Sequence, residues 1–300
     1  MESSGYSFLS SFFHRLTLGS KLISEISFDL EKNIYTKKKS TLLIDEKHLF
    51  LSGLARCGTT SILRYLYETK RFASLTYADM PFVLAPNLWK HLSGNTSTTP
   101  SKERAHKDGI IINNASPEAF DEVFWKVFLN NSYILKDKLL LNKIPIETME
   151  MYAEYITLIN KRYSNGSPKR YLSKNNNNIL RLSHLLQKFP NANFIIPFRD
   201  PLQHALSLQN QHQNFCSIHQ DDRFALKYMN WIGHHEFGMN QKPFSLGNEK
   251  LLNEMMHYKK DDINFWLLTW LNYYSFLFTI INYLKLMIDE RHTLLFRVCL

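Results

Sequence analysis

Residues 48–60 read HLFLSGLARCGTT, and this stretch decides the fold. Leu49, Phe50, Leu51 and Ser52 form a short run of apolar and β-favouring residues, which predicts a buried strand. Gly53 breaks the run. Gly58, Thr59 and Thr60 then open a predicted helix from Ser61 to about Thr69, with Ile62, Leu63 and Leu66 at helical spacing. Strand, glycine-bounded loop and helix N-terminus is a phosphate-binding geometry. Consecutive backbone N–H groups converge on the anion, and the helix dipole adds about half a positive charge.

The spacing G-x-x-x-x-G-T-T is nearly that of a Walker A loop, but Thr59 stands where that loop carries Lys. Arg56 supplies a cation two residues before the second glycine. A nucleotide kinase uses the loop Lys on the β- and γ-phosphates. Without it the loop suits a shorter anion, a single 5′-phosphate with one group to donate. Ala55–Thr60, A-R-C-G-T-T, resembles the P-[KR]-S-G-T-T loop of the sulfotransferase family, with Cys57 in place of the usual Ser.

A second stretch strengthens the resemblance. Phe198–Leu208 reads FRDPLQHALSL, and the family carries R-D-P after a strand with a Ser eight residues beyond the Arg, as Arg199 and Ser207 stand here. Arg199 leaves the carboxyl end of a predicted strand, where ligands bind in open α/β sheets. Ser207 lies two helical turns on, on roughly the same face. A helix-capping ion pair at R-D-P is the alternative reading. Lys174-Asn175, followed by Phe189-Pro190-Asn191-Ala192, is similar to a further element of bacterial relatives.

The resemblance implies an α/β, P-loop NTPase-like three-layer fold, a central parallel sheet flanked by helices. It implies transfer of a sulfuryl group from 3′-phosphoadenosine 5′-phosphosulfate (PAPS) to a hydroxyl acceptor on a glycan, lipid or small molecule, without a metal. Arg56, Cys57, Gly58, Thr59, Thr60 and Ser61 would hold the 5′-phosphosulfate, and Arg199 and Ser207 the 3′-phosphate. Arg56 and Lys174 would stabilise charge on the leaving group, although Lys174 also reads as a surface lysine. For the base that accepts the hydroxyl proton, Asp79 is the first expectation, about where several relatives place a catalytic Glu. It reads equally as a turn-capping Asp. His235 or Glu236, in H-H-E at 234–236, is the second choice, for an acceptor-binding role, and Trp231 reads as core or as a stacking platform. H-H-E lacks the i, i+4 spacing of a helical zinc site.

The rest of the chain sets the frame. With 300 residues and 44 % apolar content, the expectation is one domain over residues 1–300, residues 1–46 being a helical N-terminal extension. This extension reads as peripheral, with Phe8, Phe12, Phe13, Leu16 and Leu18 lining an apolar stripe that Ile23, Ile26 and Leu30 continue. The net charge of +9 is scattered apart from Lys37–Lys39 and accompanies no nucleic-acid motif, so a polyanionic nucleotide explains it more simply.

Cys57, Cys216 and Cys299 show neither metal nor disulfide spacing, which with the absence of a basic N-terminal leader predicts a cytoplasmic protein. The 22 uncharged residues Ile263–Leu284 are long enough to span a bilayer. Their interior Asn residues and scattered Tyr and Trp favour a buried core helix over a span, with peripheral membrane association as the alternative. Leu92–Asn114 reads as a polar loop or lid, and Ser164–Pro168 as a turn. Residues 294–298 read as a late strand; in relatives further elements follow it, so the end at Leu300 predicts a shortened C-terminus and weak nucleotide binding. A silent nucleotide-binding or membrane-associated protein is therefore the competing class, and a P-loop kinase a more distant one.

Overall fold

The three-residue strand β1 (Leu49–Leu51) is the middle of the molecule. Its residues alternate across the sheet, as period-two geometry requires. Leu49 and Leu51 join Leu63, Phe72 and Leu172 in one small core, while Phe50 faces the large core and stacks on Phe194 at 5.1 Å. This is a computed structural model, and it describes residues 8–36, 43–94, 100–103, 109–163 and 169–287.

Four parallel strands form the central sheet in the order β2 (Phe72–Ala73), β6 (Arg170–Lys174), β1, β7 (Asn193–Ile195). The remaining strands are short: β3 (Lys102–Glu103) pairs antiparallel with β4 (Ile111–Ile112), and β5 (Leu139–Leu140) parallel with β8 (Phe244–Ser245). Helix α3 (Thr59–Glu68) covers one face of the central sheet and α6 (Ile146–Tyr163) the other. This is the expected layered α/β fold.

Register fixes which residues share an edge. Leu51 is level with Lys174 on β6 and Ile195 on β7. The loop after β1, the end of β6 and the segment leading to Arg199 therefore leave the sheet together, at its carboxyl edge, where open α/β sheets bind ligands.

Helices α1 (Phe8–Leu18) and α2 (Lys21–Tyr35) form where the sequence predicts helix, with much of the apolar stripe turned outward. His14, Thr17, Ser24, Phe28 and Glu31 are buried, whereas Phe12, Phe13, Leu16, Ile26 and Leu30 are exposed. The inward polar groups have partners: the Glu31 carboxylate accepts the backbone N–H groups of Asn87 and Leu88 at 2.9 and 2.8 Å. These belong to the unpaired first turn of α4 (Pro86–Ser93), so Glu31 acts as its cap.

Pro201 opens α8 (Pro201–Asp221), with Asp200 as its N-cap accepting from the Gln203 N–H at 2.9 Å. The helix runs 21 residues, to Asp221. Asn175 caps the next element, accepting from the Asn177 N–H at 2.9 Å. That element is a 3-10 turn (Asn176–Arg181) leading into α7 (Leu182–Lys188).

Helices α5 (Glu122–Phe128), α9 (Arg223–Trp231) and α10 (Glu249–His257) complete the set with α11 (Ile263–Met287). The uncharged 263–284 stretch lies within α11, which packs along α8 and buries Phe265, Trp266, Tyr273 and Leu277. No described helix is long and apolar enough to cross a membrane. The side chain of Phe8, Lys37–Lys39, the Ser164–Pro168 turn, parts of the 92–114 loop and the 294–298 strand lie outside the described residues.

Candidate functional site

Gly53 begins the loop because no side chain fits there. A Cβ would sit 2.5 Å from the Cys57 Sγ and 3.1 Å from the Pro197 Cδ. The chain then takes left-handed backbone at Arg56 (φ 71°) and at Gly58 (φ 92°). For Arg56 that conformation is strained, by about 1–3 kcal/mol, and such strain concentrates at ligand sites. Space beyond Gly58 is open, with nothing within 4 Å of a would-be Cβ. The first-turn N–H groups of α3 have no intrahelical acceptor, and the N-cap Gly58 offers no side chain to satisfy them. The loop is thus an anion cradle.

Helix α8 stabilises the cradle from the side. The buried His204 donates from Nε2 to the Ala55 carbonyl at 2.7 Å. Burial holds its pKa down at about 4, and the Arg199 and Arg56 charges push the same way. The two motif residues flank it, Arg199 just ahead of the helix and Ser207 one turn after His204. Arg199 donates from a terminal guanidinium nitrogen to the Arg56 carbonyl at 3.3 Å, and Arg56 donates from Nε to the Ser207 Oγ at 3.2 Å. Behind them α11 packs on the same segment, the Tyr274 hydroxyl donating to the Pro197 carbonyl at 2.8 Å. The predicted phosphate residues are brought together across about 150 residues of chain.

The end of β6 is fixed from within. Arg181 forms a buried two-point pair with Glu122, at 2.7 and 2.9 Å, and its guanidinium lies over the Trp125 ring at 4.8 Å. Burial works to raise the Glu122 pKa, but the Arg181 charge and hydrogen bonds bring it below the ordinary value. Asn175 donates to Glu122 Oε2, an oxygen it shares with Arg181, at 2.7 Å. Its neighbour Lys174 is thereby held at the sheet edge, where its ammonium meets the Glu118 carboxylate at 3.2 Å. The Tyr77 hydroxyl donates to the second Glu118 oxygen at 3.3 Å.

Two cavities meet at Arg56 and Arg199. One, of about 550 Å³, runs along the polar face of α8 past Ser207, Gln203, Asn210 and Asn214. The other, of about 770 Å³, extends from residues 55–61 past Lys174 and Glu118 to the end of α8 and to α9. Among the described residues no group of three or more His, Cys, Asp or Glu side chains is placed to hold a metal ion.

A cation-lined glycine loop at the carboxyl edge of a parallel sheet is the setting for the family comparison. The pattern of the sulfotransferase family matches residues 48–243. The chain belongs to the sulfotransferase family. Among solved structures it is similar to sulfotransferase STF1 from Mycobacterium tuberculosis, at 14 % identity over 89 % of this chain and 82 % of that one, with a TM-score of 0.42. It is also similar to sulfotransferase STF9 from Mycobacterium avium, at 15 % identity over 97 % and 80 %, with a TM-score of 0.43. No curated protein matches the sequence.

Within this sulfotransferase, Arg56–Ser61, Lys174 and Arg199 line the larger cavity, and Arg56, Arg199 and Ser207 the smaller. The Cys57 side chain is buried against Gly53, and burial pushes its thiol up to about 12, so the thiol is neutral and inert. Asp79 is not where a base is needed. It is buried, pairs with Arg162, and accepts from the Thr76 N–H at 2.7 Å and the Thr76 hydroxyl at 3.1 Å. It caps the Tyr77–Asp79 turn and lines neither cavity.

The carboxylate missed from sequence is Glu118. Its only local signal is an acidic residue beside Pro117; what places it at the site is pairing across the fold. In H-H-E, His234 and Glu236 line the larger cavity. His235 is turned away, donating to the Asn240 carbonyl at 3.2 Å, with burial holding its pKa at about 4. Trp231 does not line either cavity; it packs edge-on to Phe224 at 6.0 Å.

Proposed function

We propose that this sulfotransferase transfers the sulfuryl group of PAPS to a hydroxyl acceptor. The observation that carries the reading is the junction of Arg56, Arg199 and Ser207 beside the cradle. A nucleotide with a phosphate at each end of its ribose needs two separate anion sites. The first-turn N–H groups of α3 with Arg56 supply one, and Arg199 with Ser207 supplies the other. The open space beyond Gly58 fits a tetrahedral anion approaching the backbone. Bound there, PAPS supplies an activated sulfuryl group on a 5′-phosphate leaving group.

The chain's own residues do the rest. The α3 N-terminus and Arg56 hold the 5′-phosphate and offset the charge that grows on it. Lys174, lining the larger cavity, adds a further cation. Glu118 takes the acceptor's proton, giving a sulfate ester, a protonated carboxyl and adenosine 3′,5′-bisphosphate. Its partner Lys174 is held on the same edge, so acid–base and electrostatic groups face one space. Positioning by these preset groups supplies most of such an acceleration.

Calorimetry tests the donor site. Adenosine 3′,5′-bisphosphate is expected to bind at least tenfold more tightly than adenosine 5′-monophosphate, and Arg199→Ala is expected to abolish the difference. Equal affinity for the two nucleotides would overturn the assignment.

A further inference from the structure

The larger cavity is polar at one end and apolar at the other. Its polar side chains gather around the end of β6. Lys174 meets Glu118, Asn176 donates to Glu236 at 2.8 Å, and His234 donates to the carbonyl of Ala119, next to Glu118. The opposite wall, from the last turns of α8 through α9, carries Phe215, Ile218, Phe224, Tyr228, Met229 and Phe237.

Two acidic groups also line this cavity, each with one carboxylate oxygen bound to backbone N–H groups. Asp222 accepts the N–H groups of Phe224 and Ala225 at 2.8 and 3.2 Å as the cap of α9. Glu103 accepts the Gly109 N–H at 2.8 Å. The aromatic wall is also preformed. Phe215 and Phe237 stack at 6.1 Å, as do Phe224 and Tyr228, and His14 of α1 packs behind the second pair at 6.4 and 5.7 Å.

Against six apolar or aromatic side chains that wall offers few polar atoms, the Tyr228 hydroxyl and the second oxygens of Asp222 and Glu103, so most hydroxyls of a sugar laid along it would lose water uncompensated, a cost that such sites use for rejection. A hydrocarbon or aromatic body instead gains from burial in proportion to its area. Resting on the sulfuryl-transfer reading, we propose that the acceptor is a phenol or alcohol with an apolar body. Its hydroxyl lies at the Glu118–Lys174 end, and its body lies against α9. Ring-bearing small molecules and long-chain lipid alcohols share this chemistry.

The test combines binding and turnover with three probes: 2-naphthol, dodecanol in mixed micelles, and trehalose. Calorimetry without donor is expected to show 2-naphthol or dodecanol binding at least tenfold more tightly than trehalose. Turnover with PAPS is expected to follow the same order. Preference between the two apolar probes separates a soluble aromatic acceptor from a lipid one. Phe224→Ser should weaken binding of the preferred probe about tenfold and leave adenosine 3′,5′-bisphosphate affinity unchanged. Ile218→Ser provides a second variant should the first fail to fold. Trehalose binding as well as or better than both apolar probes would overturn the proposal. Loss of bisphosphate binding with apolar-probe binding intact would instead overturn the donor assignment and leave this wall's role standing.

Discussion

The Nε of Arg56 donates to the Oγ of Ser207 at 3.2 Å, joining the turn after β1 to the second turn of α8. This bond orients a guanidinium whose backbone carbonyl is in turn held by Arg199 at 3.3 Å. Removing the Ser207 hydroxyl deletes one hydrogen bond to a charged group, worth about 1.5–3 kcal/mol. Ser207→Ala is therefore expected to weaken adenosine 3′,5′-bisphosphate about tenfold or more, and adenosine 5′-monophosphate far less. The thermal shift given by each nucleotide reads this directly. Equal weakening of both would mean that Ser207 only braces the loop.

Glu118 and Asp79 make a matched pair of tests. Glu118 lines the cavity beside Lys174, and Asp79 is buried against Arg162. Glu118→Gln is expected to lower kcat about 10²- to 10⁴-fold, the usual contribution of a positioned base, with nucleotide affinity intact. Asp79→Asn keeps a turn-capping acceptor but leaves Arg162 without its counter-charge. It should cost about 3 kcal/mol of stability, with kcat per folded molecule nearly unchanged. Steady-state kinetics with urea melts separates the two. A larger kcat loss in Asp79→Asn would restore Asp79 as the base.

What the sequence made legible was local. Gly53 and Gly58 bound a loop between an apolar run and a periodic helix, and Pro201 sits where a helix must start; both signals lie within a few residues of what they determine. That Arg199 and Ser207 lie side by side against Arg56 follows from a short spacing set by the start of α8. Glu118 was not legible, because its role arises from Lys174, 56 residues away and on another element. The burial of Asp79 has the same origin, since its partner Arg162 lies beyond any local window. In α1 and α2 the apolar stripe did not reveal which face packs: Glu31, Ser24 and Thr17 are buried while Phe12, Phe13 and Leu16 are exposed. Ser24 donates to the Thr17 carbonyl at 2.7 Å, and Glu31 caps α4, so hydrogen bonds there outweighed apolar periodicity.

The Glu122–Arg181 pair should behave as a buried charge pair rather than a surface one. Both side chains are almost fully buried. Arg181→Met strands the Glu122 carboxylate and is expected to cost about 3–5 kcal/mol, whereas joint replacement of both by apolar residues should recover most of that loss. Because Asn175 hangs on Glu122, the single variant should also loosen Lys174 and lower kcat in the surviving folded fraction. Equal destabilisation by the single and double variants, in urea, would show that the pair's packing rather than its charge matters.

Acid should unfold this protein through its histidines. His48, His204, His212 and His235 each have a pKa brought down to about 4, chiefly by burial. In the unfolded chain each returns to about 6.5. Between those values the unfolded state binds more protons than the folded one, so stability rises with pH and is lost on acidification. Each withheld proton contributes a slope of about 1.4 kcal/mol per pH unit. The geometry gives the same answer: His48 accepts the Tyr171 N–H at 2.9 Å on Nδ1, an acceptor that protonation destroys. Thermal melts from pH 7.5 to 4.5 should show Tm level near neutrality and falling steeply below about pH 6. His48→Asn, which keeps an acceptor but cannot titrate there, should flatten part of that fall. A Tm unchanged down to pH 4.5 would show that these imidazoles charge freely within the fold.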